Sequence, residues 1–407
     1  MDLDLLDLDM FQRGEQNEVF RRLRREAPVS WQDHPVGRGF WSVVTHADVV
    51  TVNRDAALFS SEVGSISLLD PDERANAVGM DTRGAMMIAT DPPRHTRYRR
   101  LVNSGFTPRT MKALERSLAE RTTVIIDQVI EKGSCDFVTD VAAELPLQAI
   151  ADIMGVPQQD RGRLFDWSNR MVGLDDPEYA SDDGTEASAE LYAYVNDLAR
   201  RRRADPRDDI VTVLVNAEID GDSLSEREFD MFMLLLTLAG NETTRNSTSW
   251  GMWALIDNPD QYRALRADPG LIDRAVEEIL RWASPVLHFR RTATADTELH
   301  GQPIARGDKV VMWHISANRD EDVFSDPFRF DITRSPNNHV AFGGGGPHHC
   351  LGAYLARMQL RLMFAEIVAR IPDMRLTAEP ELLRSNVLRG VKHMAVEFTP
   401  GPRASAM

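Results

Sequence analysis

One of the chain's residue types is rare enough to read singly. Cysteine occurs twice in 407 residues, as Cys135 and Cys350. Cys350 follows four glycines, a proline and two histidines in HVAFGGGGPHHCLG, residues 339–352. Three chemistries compete for this stretch. Zinc would use Cys350, His348 and His349, but it normally takes four ligands at characteristic spacings, and no second Cys or His pair lies nearby. A buried free cysteine would be inert. The third is a thiolate. The run LGAYLARMQLR after Cys350 reads as the start of a helix, where free amides and the dipole stabilise a thiolate. A Gly-rich loop lets backbone approach something large and flat, and the whole arrangement suits a thiolate ligand to iron.

Other stretches carry charge or hydroxyl chemistry. Ala239-Gly-Asn-Glu-Thr-Thr244 places an acid and an alcohol side by side inside an otherwise apolar helical run. Gly240 and the β-branched threonines weaken that helix, and an opened ladder there could admit water. Glu278 and Arg281 are an i,i+3 pair, ordinarily a solvated contact worth a few tenths of a kcal/mol. In Asp91-Pro-Pro-Arg-His-Thr-Arg-Tyr-Arg-Arg100, His95 and Arg99 share one helix face. Arg94, Arg97 and Arg100 follow i,i+3 spacing on another.

Helices must position these groups. Thr107-Pro108 opens one, Met111, Leu114, Leu118, Ile125, Val129 and Ile130 give its period, and Gly133 stops it. Ser225 with Glu228 forms a candidate capping box for a helix running to Asp257, roughly 45 Å long. Strand patterns are few: residues 39–44, 290–295 and 309–313. Residues 62–90 lack periodicity and read as a long functional loop. The fold class is therefore mainly α with a minor β region near residues 28–60 and 288–315. No linker divides it, so residues 1–407 read as a single domain.

Composition narrows the partners. A net charge of −16 disfavours nucleic acid. Two cysteines give no disulfide framework and suit a reducing compartment. The most apolar run, Phe232–Ala239, is far short of the ~20 residues a membrane span needs. A cytoplasmic protein without transmembrane anchor is expected, and a monomer.

Taken in order, these motifs resemble the cytochrome P450 family. Phe342, Gly343, Gly345, His348, Cys350 and Gly352 look like its haem-binding signature, with Phe342 one residue farther from the cysteine than in the commonest form. The resemblance spans about Phe20 to Phe398. It implies the P450 fold, a triangular helical prism with a long central helix across the haem. It implies haem b, with Cys350 as axial ligand to iron. His95, Arg99, Arg291 and His348 would hold the propionates, and Phe342, Gly343, Gly352, Ala239 and Gly240 would form the cradle. Glu242 and Thr243 resemble the proton-delivery pair. Glu278, Arg281 and Arg329 resemble a structural Glu/Arg/Arg triad. O2 is the implied co-substrate. Electrons would come from NAD(P)H through a separate ferredoxin and ferredoxin reductase, since the chain has no flavin- or iron–sulfur-binding segment. Arg94, Arg97 and Arg100 would offer an acidic ferredoxin a basic dock.

Stretches such as LAGNETTRN, CDFV, ELPLQAI and RWASP resemble the bacterial branch of mycobacterial cholesterol and cholestenone side-chain monooxygenases and methyl-branched lipid ω-hydroxylases. That implies a monooxygenase of the EC 1.14 class acting on an apolar small molecule, a steroid side chain or a methyl-branched lipid. Its pocket would include Met86, Met87, Leu234, Leu235, Leu238, Val286, Leu287, Val387 and Leu388. The rival substrate is a terpene or other compact hydrocarbon. The rival function is a non-catalytic haem sensor.

Overall fold

The computed structural model describes residues 4–70, 84–103, 108–172, 176–179, 184–219 and 222–404. The helices that bear on the site are, in chain order, α1 (His46–Arg54), α2 (Arg94–Asn103), α3 (Pro108–Ile130), α4 (Glu144–Met154), α5 (Arg161–Val172), α6 (Thr185–Ala204), α7 (Glu226–Asp257), α8 (Ile272–Ala283) and α9 (Ala353–Arg370). The principal strands are β1 (Val29–Gln32), β2 (Phe40–Val43), β3 (Phe59–Ser60), β4 (His288–Ala293) and β5 (Lys309–Trp313). The expected helix start at Pro108 and the strand at 309–313 are found where the patterns put them. The other two strands shift by one or two residues.

α7 organises the helical part. Ser225 caps it through the expected box: its Oγ accepts from Glu228 N, and Glu228 accepts from Ser225 N at 2.9 Å. The helix runs 32 residues, about 48 Å, and packs against α4, α5, α6, α8 and α9. Its second half is polar yet buried from Asn241 to Ser249, apart from the half-exposed Thr243. Burial is tolerated because the hydroxyls turn back onto the helix. Ser247, Thr248 and Ser249 donate to the carbonyls of Thr243, Thr244 and Arg245 at 2.8, 2.9 and 3.0 Å. α7 is helical throughout, Gly240 included.

The five-stranded sheet has the order β1-β2-β5-β4-β3. β5 pairs parallel with β2 and antiparallel with β4, and all five of its residues are buried, as a central strand requires. Arg290 and Lys309 fasten the start of the 62–90 segment to this sheet. Arg290 pairs with Asp70 and donates to Ser67 O, and Lys309 donates to Leu68 O at 3.0 Å. Residues 62–70 are irregular, residues 71–83 lie outside the described set, and Met87–Ala89 form a short 3-10 turn.

Candidate active site

Cys350 sits three residues before the start of α9, whose N-cap is Gly352. Its amide donates to Phe342 O at 3.0 Å, which closes the glycine loop. Cys350 is exposed as a residue, yet its thiol is largely surrounded by protein. That burial raises its pKa, while a hydrogen bond from the Gly352 amide and the fields of Arg99 and Arg357 oppose the rise. A sulfur supplied with an amide donor and two cations is equipped to be a thiolate once a metal takes it.

The loop's path explains its glycines. A Cβ on Gly344 would lie 2.8 Å from Val50 Cα, and one on Gly346, at φ +77°, would lie 2.5 Å from Asn53 O. The run therefore buys close approach to α1, not only to a cofactor. Gly343 alone keeps open space, its nearest neighbour being His348 O at 3.9 Å.

Four cationic or titratable groups gather beside this loop. The His95 and His348 rings lie 4.1 Å apart. Desolvation first, and neighbouring cations second, push His95 down to about 4 and His348 to about 3. Arg291 is 3% exposed, and burial lowers it to about 10. Its guanidinium donates to the Arg290 carbonyl at 2.9 Å. Arg99 is half-buried and also lowered by desolvation. The acid that faces this group, Asp91, is engaged by Ser60 Oγ and by the Ser61 amide at 2.8 Å. His348 Nε2 is buried without a partner. A buried set of donors short of acceptors is an anion site. Two carboxylates beside a metal that takes the Cys350 sulfur would satisfy it, so the residues fit haem. Among the described residues, no three His, Cys, Asp or Glu side chains converge as a metal site, which leaves the zinc alternative without a ligand set.

One face of α7 carries Leu235, Ala239 and Thr243 at four-residue steps. Ala239 is exposed in mid-helix, and Leu235 and Thr243 are half-exposed. This stripe is the part of the central helix that its neighbours leave uncovered. Thr243 Oγ1 donates to Ala239 O at 2.7 Å. Glu242 is 1% exposed and turned elsewhere. Arg245 pairs with one of its oxygens, Ser168 Oγ donates to the other at 3.2 Å, and Asn169 holds Arg245 at 3.0 Å. Arg245, three residues along, was detectable from helix spacing. Ser168 and Asn169 were not.

The chain is a cytochrome P450. The family model for cytochrome P450 matches residues 68–371. A steroid C26-monooxygenase of Mycolicibacterium smegmatis is 44% identical, covering 99% of this chain and 95% of that protein. A methyl-branched lipid omega-hydroxylase of Mycobacterium bovis is 41% identical over 98% of this chain and 95% of its own. A Mycobacterium marinum cytochrome P450 solved with pseudoionone superposes with TM-score 0.90 at 40% identity, covering 98% of this chain and 99% of that one.

Several expected positions change within this P450. The side-chain direction of Gly240 points at α4: a Cβ there would meet Ile150 Cδ1 at 2.2 Å, so it serves the α7–α4 contact. Leu234 is 3% exposed and lies on the core side of α7, off the open stripe. Leu287 is 1% exposed and packs with Phe11, Phe20 and Trp313 behind the sheet. Met86 and Met87 are buried in the main core, while Leu235, Leu238, Val286, Val387 and Leu388 are half-buried. Val286 and Leu388 are bridged through backbone, and Leu287 N donates to Val387 O at 2.8 Å. That contact carries residues 387–388 alongside Val286.

The expected triad also changes membership. Glu278 and Arg281 are 0% exposed and joined at 2.7 and 2.8 Å. The second guanidinium on Glu278 is Arg334, at 3.1 Å. Arg329 contributes only its carbonyl, which accepts from Arg334 at 2.9 Å. Arg94, Arg97 and Arg100 are unequal too. Arg94 pairs with Glu228 at 3.2 Å and Arg97 donates to Ser223 O at 3.3 Å, while Arg100 is exposed.

Proposed function

We propose that residues 1–407 form one haem-thiolate domain that inserts one oxygen atom of O2 into a C–H bond of an apolar, methyl-branched substrate. The substrate class is a steroid side chain or branched lipid, attacked near its end. The observation that carries the reading is the acceptor-poor cluster of His95, Arg99, Arg291 and His348 beside the Cys350 thiol. The full-length likeness to relatives named for steroid and methyl-branched lipid oxidation supports the substrate class.

Haem b, when bound, supplies the redox chemistry on dioxygen. Cys350 would be its iron ligand, and the four-residue cluster would hold its propionates. Phe342, Gly343 and Gly352 would border it on the loop side and Ala239 on the α7 side. Leu235, Leu238, Val286, Val387 and Leu388 would turn apolar side chains to the substrate and exclude water. Thr243 holds its hydroxyl on the open stripe. Glu242 must leave Arg245 and Ser168 to bring a proton toward it. Electrons would arrive from NAD(P)H through ferredoxin reductase and ferredoxin. Arg100, exposed on α2, is the member of the arginine set best placed to meet an acidic donor. No helix among the described residues is long and apolar enough to cross a membrane, and we place the enzyme in the cytoplasm as a monomer.

The test is a difference-spectrum titration with cholestenone, a methyl-branched fatty acid and a monoterpene, followed by turnover with ferredoxin, reductase and NAD(P)H. The first two should give the low-to-high-spin change and hydroxylated product. A response to the monoterpene alone would move the reading to terpenes, the alternative that the pseudoionone complex of the M. marinum relative favours. Spectral binding without turnover would make the chain a haem sensor.

A further inference from the structure

The loop that carries Cys350 leans on a charged group that the reaction above does not use. Arg357 lies seven residues past Cys350, on α9. Its guanidinium stands 4.5 Å over the ring of Phe342, the residue whose carbonyl accepts the Cys350 amide. Glu277, on α8, holds that guanidinium with both oxygens, at 2.6 and 2.9 Å. His339 completes the group. Its Nδ1 accepts from the Ala341 amide at 3.2 Å, so the proton sits on Nε2, which donates to Glu277 Oε2 at 3.0 Å. Glu277 is thus an ionised carboxylate: burial works against it, but His339 and Arg357 hold it down at about 2.

The two charges have opposite effects on their surroundings. A cation near a redox centre favours the electron-rich state, and an anion disfavours it. The guanidinium is one residue removed from the ligand: it lies over the Phe342 ring, and the Phe342 carbonyl accepts the Cys350 amide. Glu277 partly cancels it. We propose that the Glu277–Arg357 pair sets the reduction potential at the Cys350-ligated metal, with Arg357 a positioning residue that supplies the charge and Glu277 the residue that trims it. The inference rests on the reading of Cys350 as the thiolate ligand.

The experiment is the midpoint potential of the substrate-free, haem-loaded protein, measured by spectroelectrochemistry for wild type, Glu277→Gln, Arg357→Gln, Arg357→Lys and the double variant Glu277→Gln/Arg357→Gln. Unmasking the guanidinium in Glu277→Gln should raise the potential. Leaving Glu277 alone in Arg357→Gln should lower it. The double variant should return toward wild type, and Arg357→Lys should stay near it. A merely structural role would lower haem content with potentials unmoved, or move both single variants the same way, and either result overturns the proposal. If Glu277→Gln fails to retain haem, Arg357→Gln against Arg357→Lys decides: only loss of the charge should lower the potential. The reduced-CO spectrum separates the two levels. Wild type without the thiolate-type band would refute the Cys350 reading itself, whereas intact bands with unmoved potentials refute only the role of the pair.

Discussion

Gly240→Ala tests what the glycine in the middle of α7 is for. Two effects oppose each other. Alanine in a helix interior gains about 1 kcal/mol over glycine. The new methyl, however, would sit 2.2 Å from Ile150 Cδ1 and 2.7 Å from its Cγ1, and forcing a methyl into a filled core costs about 1–3 kcal/mol. Ile150 is 2% exposed on α4, so it has little room to yield, and the clash should win by about 1 kcal/mol. Ile150→Ala alone should cost about 2–5 kcal/mol through the cavity it leaves. In that background the clash is gone and the added methyl fills part of the void. Gly240→Ala should then stabilise by about 1 kcal/mol, a reversal of sign. Calorimetric melting of the four haem-loaded proteins measures this. At about 2.1 cal/mol/K per residue, 407 residues convert 1 kcal/mol into about 1 °C, within reach of replicate scans. If Gly240→Ala lowered melting and haem content equally in both backgrounds, the glycine would face the cofactor and the packing argument would be wrong.

Four further outcomes follow from the structure. Arg334→Met should destabilise by about 1.5–3 kcal/mol because it strips one charged hydrogen-bond partner from the buried Glu278, which keeps Arg281, whereas Arg329→Met should shift denaturation little; equal losses would restore Arg329 to the triad. His348→Ala should weaken haem retention in a hemin-transfer assay while His349→Phe leaves it intact, and the reverse would mean the loop is read one residue out. Thr243→Ala should leave substrate binding unchanged but divert electrons to peroxide, seen as NAD(P)H consumed without product. His393 is raised above its ordinary range: burial works against it, but hydrogen bonds to Glu178 and Asp136 outweigh burial. Its stabilising contribution is therefore full below the unfolded pKa of about 6.5 and lost as pH rises through the folded value. Melting of wild type should fall relative to His393→Gln across that rise; parallel pH curves would remove the contribution.

The sequence made the chemistry legible where it is local. Cys350, its helix and the Ser225–Glu228 box depend on neighbours in the chain, and the structure places them as the spacing suggests. Long-range choices were less legible. Leu234 and Leu235 are adjacent and equally apolar, yet one step of about 100° separates core from open stripe. Arg329 and Arg334 both follow Asp326-Pro-Phe, and nothing in their types says which guanidinium reaches Glu278. Gly240 looked like a cofactor approach because the partner it makes room for, Ile150, is 90 residues earlier. Ser168 and Asn169, which confine Glu242 and its arginine, carry no motif. Each miss is a tertiary contact that periodicity cannot encode.

The seating of the glycine loop on α1 has a consequence for engineering. Val50 and Asn53 occupy the space that side chains on Gly344 and Gly346 would need, and Arg54 Nε donates to Gly344 O at 3.1 Å. Loop and helix are therefore a matched lock and key separated by some 290 residues. A chimera that exchanged the ligand loop with that of a relative having a shorter loop would inherit a misfit at α1, and only a donor cassette carrying both pieces should transplant cleanly.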